Sequence, residues 1–119
     1  MQRFTDLRVW QDGHALTLEI YRLTAGFPSE ERHGLVSQLR RAAFSVPANI
    51  AEGSKRQTQT EYARFLNIAE GSLAETEYFL ILARDLGYLE ADAVEPLTAQ
   101  IDQLARMLHA LRIKVQQVK

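Results

Sequence analysis

The residues in this chain that could bind a metal ion or act as a nucleophile indicate what chemistry it could perform. The three histidines, His14, His33 and His109, fall in three separate segments, and the chain has no cysteine. Neither a His-Glu-x-x-His spacing nor a thiolate pair is present, so no usual metal-ligand pattern occurs. A nucleophile elbow and a phosphate-binding glycine loop are also absent. The sequence therefore indicates a protein that is not an enzyme and that carries neither a metal nor a cofactor.

A basic set of side chains is the stronger functional candidate. Five positive residues lie between positions 40 and 64, where the only acids are Glu52 and Glu61. These five are Arg40, Arg41, Lys55, Arg56 and Arg64. Such a cluster could neutralise the phosphates of RNA or DNA. The alternative is structural pairing, of Arg41 with acids near Glu52 and of Arg40 with an acid of a neighbouring subunit.

Length and composition indicate one soluble domain that covers residues 1–119. The chain is 46% hydrophobic and 24% charged, with a formal net charge of −1, as is usual for a globular protein. No apolar run approaches the roughly 18 residues that cross a bilayer. The N-terminal residues carry charges where a signal peptide has its apolar stretch. We therefore expect a cytoplasmic protein with no membrane partner.

Apolar residues recur at helical spacing in four segments. They predict helices from about Asp6 to Ala25, from about Gly34 to Gly53, from the cap Thr58 to Leu86, and onward from a cap at Asp92. The fourth segment is the clearest, because its apolar residues follow a 4-3-4-3-4-3 spacing: Leu97, Ile101, Leu104, Leu108, Leu111, Val115 and Val118. No alternating strand pattern competes. The sequence predicts an all-α, antiparallel up-down four-helix bundle.

Glycine and proline positions refine these boundaries. Gly53 is expected to end helix two in the left-handed conformation, and Gly87 to end helix three in the same way. Pro47 lies inside helix two, where it removes a backbone donor and favours a kink. Pro96 is expected in the first turn of helix four, where proline is tolerated.

Several residues on outward-facing stripes predict an oligomer interface. Helix one has a second apolar stripe opposite its core-facing one, and a lone bundle cannot cover both. Helix two places an aromatic residue on its outer side, and helix three carries a stripe of small residues. The predicted interface residues are Trp10, His14, Tyr21, Phe44, Asn67, Gly71 and Tyr78.

The hexapeptide Asn-Ile-Ala-Glu-Gly-Ser occurs twice, at 49–54 and at 67–72. The first copy is expected to close helix two, whereas the second lies inside helix three. Gly71, in the second copy, costs helix three about 1 kcal/mol relative to alanine. A glycine at such a position predicts that another group packs closely against it.

These repeats lie within longer stretches that resemble a known family. The stretches are LRVWQDGHAL, FPSEERHGLVSQLRRAAFSVPANIAEGSKR, EYARFLNIAEGSLAETEYFL and ARDLGYL. They are similar to the four-helix-bundle proteins encoded by intervening sequences of bacterial 23S rRNA genes, also called the S23 ribosomal protein family. That family is related to accessory proteins of diversity-generating retroelements. The resemblance covers nearly the whole chain.

The resemblance implies a ring-shaped homo-oligomer, a homopentamer. In the retroelement branch it also implies binding to nucleic acid and to a reverse transcriptase. Two hypotheses therefore stand together. One is a homo-oligomeric scaffold that binds RNA or DNA through the basic residues, and the other is a protein–protein interaction module that binds no nucleic acid. The net charge of −1 weakly favours the second, because the retroelement proteins are markedly basic.

Overall fold

The computed structural model describes residues 3–118, which form a bundle of four helices. The helices are α1 (Arg8–Thr24), α2 (Leu35–Ser54), α3 (Gln59–Asp85) and α4 (Ala91–Gln117), and two short 3₁₀ turns cover Phe4–Asp6 and Ser29–Glu31. No strand occurs among the described residues. The all-α bundle that the sequence predicts is therefore confirmed. None of these helices combines the length and the apolarity that a membrane crossing needs.

Two of the predicted helix boundaries are set by local backbone chemistry. The hydroxyl of Thr58 accepts a hydrogen bond from the Glu61 backbone N–H at 3.1 Å, so Thr58 caps α3. At the other end, Gly87 has φ of 84°. The backbone N–H of Tyr88 donates to the carbonyl of Ala83 at 2.9 Å and that of Gly87 to Arg84 at 3.0 Å. This is the Schellman pattern, so the predicted role of Gly87 is confirmed.

Three boundary predictions are wrong. Asp92 lies inside the first turn of α4, and the residue that flanks the helix is Glu90, whose side chain makes no capping bond. Pro96 is consequently the sixth residue of α4 rather than a first-turn residue. Gly53 does not adopt a positive φ, and α2 continues to Ser54. In each case the helix extends further than the sequence indicates, and the residue lies within it.

The apolar stripe predicted for α4 forms part of the core, although Leu111 is only half-buried and Val118, at the C-terminal end, is 49% exposed. In α4, Leu97, Ile101, Leu104 and Leu108 are each 3% exposed or less. Burial of one such side chain contributes about 1.5–3 kcal/mol. Consecutive helices pack on each other and α4 also packs on α1, while the backbones of the diagonal pairs do not come within 8 Å of each other. The four helices therefore stand at the corners of a square.

Pro47 does not interrupt α2, because α1 supplies what the proline removes. A proline at position 47 cannot donate to the carbonyl of Ala43, four residues earlier. That carbonyl lies 3.1 Å from the buried Thr17 hydroxyl, which shares its single proton between Ala43 and the Gly13 carbonyl at 2.8 Å. Gly13 lets α1 approach at this level, since an added Cβ would lie 3.2 Å from Val46 and 3.5 Å from Pro47. The orphaned carbonyl is thus satisfied from the neighbouring helix.

The two glycines of the repeated hexapeptide have different surroundings. A Cβ at Gly53 would lie 2.7 Å from the Cβ of Phe65 and 3.1 Å from Cδ1 of Tyr62, so α2 and α3 pack closely there. A Cβ at Gly71 would meet nothing within 4 Å. The prediction that a group packs closely on Gly71 therefore fails within this chain, and Gly53 is the glycine that helix packing requires.

Candidate interaction surfaces

Exposed apolar side chains lie on the outer face of α1 and α2. Leu18 is 58% exposed, Tyr21 40% and Phe44 44%. Leu18 and Tyr21 belong to the outer stripe of α1, one turn apart, and Phe44 faces outward from α2. These are large aromatic and aliphatic groups close together, the composition typical of an interface core.

A shallow groove runs between α1 and α2 beside these residues, and we call it the arginine groove. Its lining residues are Tyr21, Arg32, Val36, Ser37, Arg40, Arg41 and Phe44. Three of these are positively charged and none is acidic. The groove therefore combines an apolar floor with a positive rim.

Arg40 is held firmly at one edge of the arginine groove. Its Nε donates to the Thr24 hydroxyl at 2.8 Å, and its Nη2 donates to the carbonyl of Tyr21 at 3.2 Å. Its guanidinium carbon also lies 4.4 Å from the centre of the Tyr21 ring. A cation at the end of a helix is stabilised by the carbonyl dipoles there. Arg40 thus closes the last turn of α1, which gives it a structural role.

Arg41 pairs with a different acid from the one that the sequence suggested. Its Nη2 lies 3.8 Å from Glu75 of α3 and donates to Gln38 at 3.1 Å. The predicted partner region near Glu52 is wrong, because Glu52 lies three turns further along α2. Both side chains of the Arg41–Glu75 pair are about half exposed, so the pair is weak and leaves Arg41 free to exchange partners.

The other three basic residues gather around the start of α3. Arg64 pairs with Glu61 at 3.1 Å and lies 4.7 Å from the Phe65 ring centre. The hydrogen bond from Arg64 lowers the pKa of Glu61, and the same bond raises the pKa of Arg64. Lys55 and Arg56 are exposed, and neither forms an ion pair within residues 3–118. Together with Glu61 they border a shallow pocket.

The structure therefore divides the five predicted nucleic-acid contacts into two groups. Arg40 and Arg41 lie near the start of α2, whereas Lys55 and Arg56 follow its end. The fourteen residues from Arg41 to Lys55 span about 21 Å of helix. One phosphate cluster cannot contain all five, and only the group at Lys55, Arg56 and Arg64 borders the loop between α2 and α3.

The outer side of α3 is the second surface that the sequence singled out. Asn67, Gly71, Ala74 and Tyr78 are all exposed along one stripe, and Tyr78 is 56% exposed. Because Gly71 has no side chain and no neighbour, the helix backbone is bare there. Such a stripe allows another helix to approach closely, as small residues do at helix–helix contacts.

Trp10 and His14 lie at the opposite end of α1 from Tyr21. Their rings are stacked, with centres 5.0 Å apart and an interplanar angle of 11°. The rings of Phe4 and Trp10 meet edge to face, with centres 5.4 Å apart. Trp10 is half-buried and His14 is exposed. The shared face that the sequence indicated is therefore present as a local aromatic stack. Among the described residues no group of three histidines or carboxylates could hold a metal ion.

Sequence reasoning missed two features of these surfaces. Arg32, which precedes α2, completes the rim of the arginine groove. Glu70 of α3 forms an ion pair with Arg112 of α4, and His109 Nδ1 lies 3.6 Å from the same carboxylate. The pair is only about one-fifth exposed. Its members are 42 residues apart, so no local spacing could have indicated it.

Comparison with known proteins places the chain in a family. The family described as 23S rRNA-intervening sequence protein matches residues 5–110. The chain is also similar to a solved protein of unknown function from the S23 ribosomal protein family of Bacteroides thetaiotaomicron. The TM-score is 0.78 at 22% identity, with 87% of this chain and 97% of that chain covered. No curated protein matches the chain. Because the family match covers most of its length, the chain belongs to the 23S rRNA-intervening sequence protein family.

Proposed function

We propose that this protein is a non-enzymatic, homo-oligomeric scaffold whose antiparallel bundles close into a ring. The pentameric number is the one that the sequence resemblance implies. The observation that carries the proposal is the pair of uncovered surfaces, one on α1 and α2 and the other on α3. We place the protein in the cytoplasm.

The order of contacts along the helices supports an antiparallel bundle. Gly13 of α1 lies against Pro47 of α2, and later in α1 Thr24 bonds to Arg40, earlier in α2. Rising positions in α1 thus meet falling positions in α2. The same relation holds between α2 and α3, where Gly53 lies against Phe65 and Arg41 lies against Glu75.

The exposed apolar area supports an oligomer. A monomer would leave Leu18, Tyr21 and Phe44 in water on one side and Tyr78 on another. Soluble monomers seldom present contiguous apolar patches of this kind. When two different surfaces meet, the contact is heterologous, and a rotation that closes produces a ring.

The proposal is tested by measuring mass in solution by light scattering. The parent protein should have the mass of several chains. Phe44→Glu should reduce that mass, because it removes an exposed ring and places a carboxylate on the face that a second copy would cover. Val118→Glu is the matched control, since Val118 is 49% exposed at the end of α4. A parent protein with single-chain mass would overturn the proposal.

A second candidate function is nucleic-acid binding by the scaffold. Lys55 and Arg56 favour it, because they are exposed cations without an ion-pair partner in the described part of the chain. Repetition of this loop around a ring would make the contact multivalent. The competing hypothesis is an interaction module for another protein, such as a reverse transcriptase, with no nucleic acid bound.

Charge reversal separates these two candidates. Lys55→Glu together with Arg56→Glu should weaken the binding of RNA and DNA regardless of sequence and should flatten its salt dependence. The oligomer mass should stay unchanged, because the loop lies outside the core. Parent-level binding by an intact variant would exclude this loop. Absence of binding by the parent at low salt would favour the protein-interaction module.

A further inference from the structure

We propose that the arginine groove of one copy binds the acidic outer face of α3 and α4 of the next copy. We define this acidic face by Glu77, Tyr78, Glu95 and Asp102. The inference rests on the oligomer proposed above and identifies the two surfaces that meet in it. The occupant of the groove is thus a second copy of this chain.

Charge supports this occupant. The groove carries three arginines and no acid among its lining residues. The acidic face contributes the carboxylates of Glu77, Glu95 and Asp102. Arg84 lines a groove with the last two of these and pairs with Asp85. Glu95 and Asp102 are exposed, and neither forms an ion pair within residues 3–118. Surfaces of opposite charge steer association and fix the register of the contact.

Shape and hydrophobicity agree with charge. The groove offers the rings of Tyr21 and Phe44, both about 40% exposed, beside the stems of its arginines. The acidic face offers Tyr78, which is 56% exposed. On the same stripe of α3 as Tyr78, the small residues Ala74 and Gly71 leave room for another group to approach the helix backbone. An aromatic residue that enters an apolar groove with carboxylates to meet arginines is a typical interface anchor.

The two surfaces lie at the same level of the bundle. Arg41, on the rim of the groove, pairs with Glu75, and Glu77 and Tyr78 follow Glu75 within one turn of α3. Glu70 contacts Arg112 of α4, so the antiparallel course of α4 brings Asp102 within about one to two turns of the level of Glu77. Both surfaces also belong to the end where the ring of Phe27 contacts that of Tyr88 at 5.5 Å.

The two surfaces also face away from each other. The helices occupy the corners of a square, with α1 and α2 along one side and α3 and α4 along the opposite side. Glu77 lies seven residues from Glu70, which contacts α4, and seven from Arg84, which lines a groove with Asp102. A contact between opposite faces at one level adds copies without a shift along the long axis. A ring needs this absence of an axial shift, and it closes when each contact also turns the next copy through the same angle.

The test uses two variants of the full chain, each of which disables one surface. The groove variant carries Arg32→Glu and Phe44→Ala. The face variant carries Tyr78→Ala and Asp102→Arg. All four positions are exposed, so circular dichroism should show parent-like helix content. The control, Gln103→Ala with Gln100→Arg, makes matched changes beside α1, where both glutamines line a different pocket.

Native mass spectrometry over a concentration series gives the outcome. The parent and the control should form the same oligomer, and each variant alone should be a single chain. An equimolar mixture should form dimers with one chain of each variant and nothing larger, because only one groove and one acidic face remain. Their population should rise with concentration, since ring closure no longer assists the contact.

Two results with these variants would overturn the inference. Parent-sized oligomers of either variant would show that the altered surface is not in the interface. A mixture of folded variants that stays entirely monomeric would show that the two surfaces do not bind each other. If a double variant loses helix content, Arg32→Glu and Asp102→Arg are tested separately. Each single change should then raise the dissociation constant of the oligomer, and an unchanged constant would also overturn the inference. A monomeric parent would instead refute the underlying oligomer.

Discussion

Replacing Gly53 by alanine tests how α2 and α3 are packed. The added Cβ would lie 2.7 Å from the Cβ of Phe65, closer than real Cβ atoms approach, so a helix must shift. Overpacking of this kind costs about 1–3 kcal/mol. Alanine in place of glycine inside a helix returns about 1 kcal/mol. We therefore expect Gly53→Ala to lower the free energy of unfolding by about 1 kcal/mol.

Gly71→Ala is the matched control, since it is the equivalent glycine of the second hexapeptide copy. Its Cβ meets nothing within 4 Å, so the helix-propensity gain of about 1 kcal/mol is not opposed within the chain. The two variants should thus differ by about 2 kcal/mol. The comparison belongs in a Phe44→Glu background, where the proposed oligomer contact is disabled.

Urea unfolding followed by circular dichroism measures both values. The midpoints should move in opposite directions while the slope stays constant, which shows that stability rather than compactness has changed. A Gly53→Ala protein as stable as its background, or more stable, would contradict the packing described here. In the parent background, a smaller gain for Gly71→Ala is expected where a second copy packs on the bare helix.

Three further predictions concern the fold and the assembly. Thr17→Val should cost about 1–3 kcal/mol by leaving the buried Ala43 carbonyl without a donor, and an unchanged urea midpoint would contradict that role. The hydrogen bond to Glu31 raises the pKa of Tyr88, so its stabilisation is present below the ordinary tyrosine pKa of about 10 and is lost as pH rises through the raised value. The free energy of unfolding of Tyr88→Phe should therefore fall less than that of the parent as the pH is raised through that value. Equal losses would contradict the contribution of the Tyr88–Glu31 hydrogen bond. Salt should raise the dissociation constant of the oligomer by screening the arginines and carboxylates, a dependence that sedimentation at several salt concentrations would detect or exclude.

The sequence predicted the features that depend on local chemistry. The period of apolar residues located the four helices, because a helix repeats every 3.6 residues whatever its neighbours are. Thr58 and Gly87 mark helix ends through bonds within a few residues, so the sequence could identify them. The prediction of a cap at Asp92 is wrong for the same reason. It suits a cap, but the chain enters α4 one residue before it, from Glu90 through Ala91.

Features that depend on contacts between helices could not be predicted. Gly53 and Gly71 stand in identical hexapeptides, and only the packing of Phe65 distinguishes them. Arg41 of α2 pairs with Glu75 of α3. This pairing depends on how the two helices are aligned along each other, which the spacing of residues within one helix does not encode. The basic residues formed one cluster in sequence, yet α2 separates them in space. The outward position of Tyr21, Phe44 and Tyr78 was predictable because helical phase alone determines it.

The mass of the unmodified protein in solution tests the central claim most directly. Light scattering at micromolar concentration should return about five times the chain mass of 13.5 kDa, and the value should stay constant over a concentration series, as a closed ring requires. A mass of one chain throughout that series would contradict the account. It would mean that the apolar face of α1 and α2 remains in water.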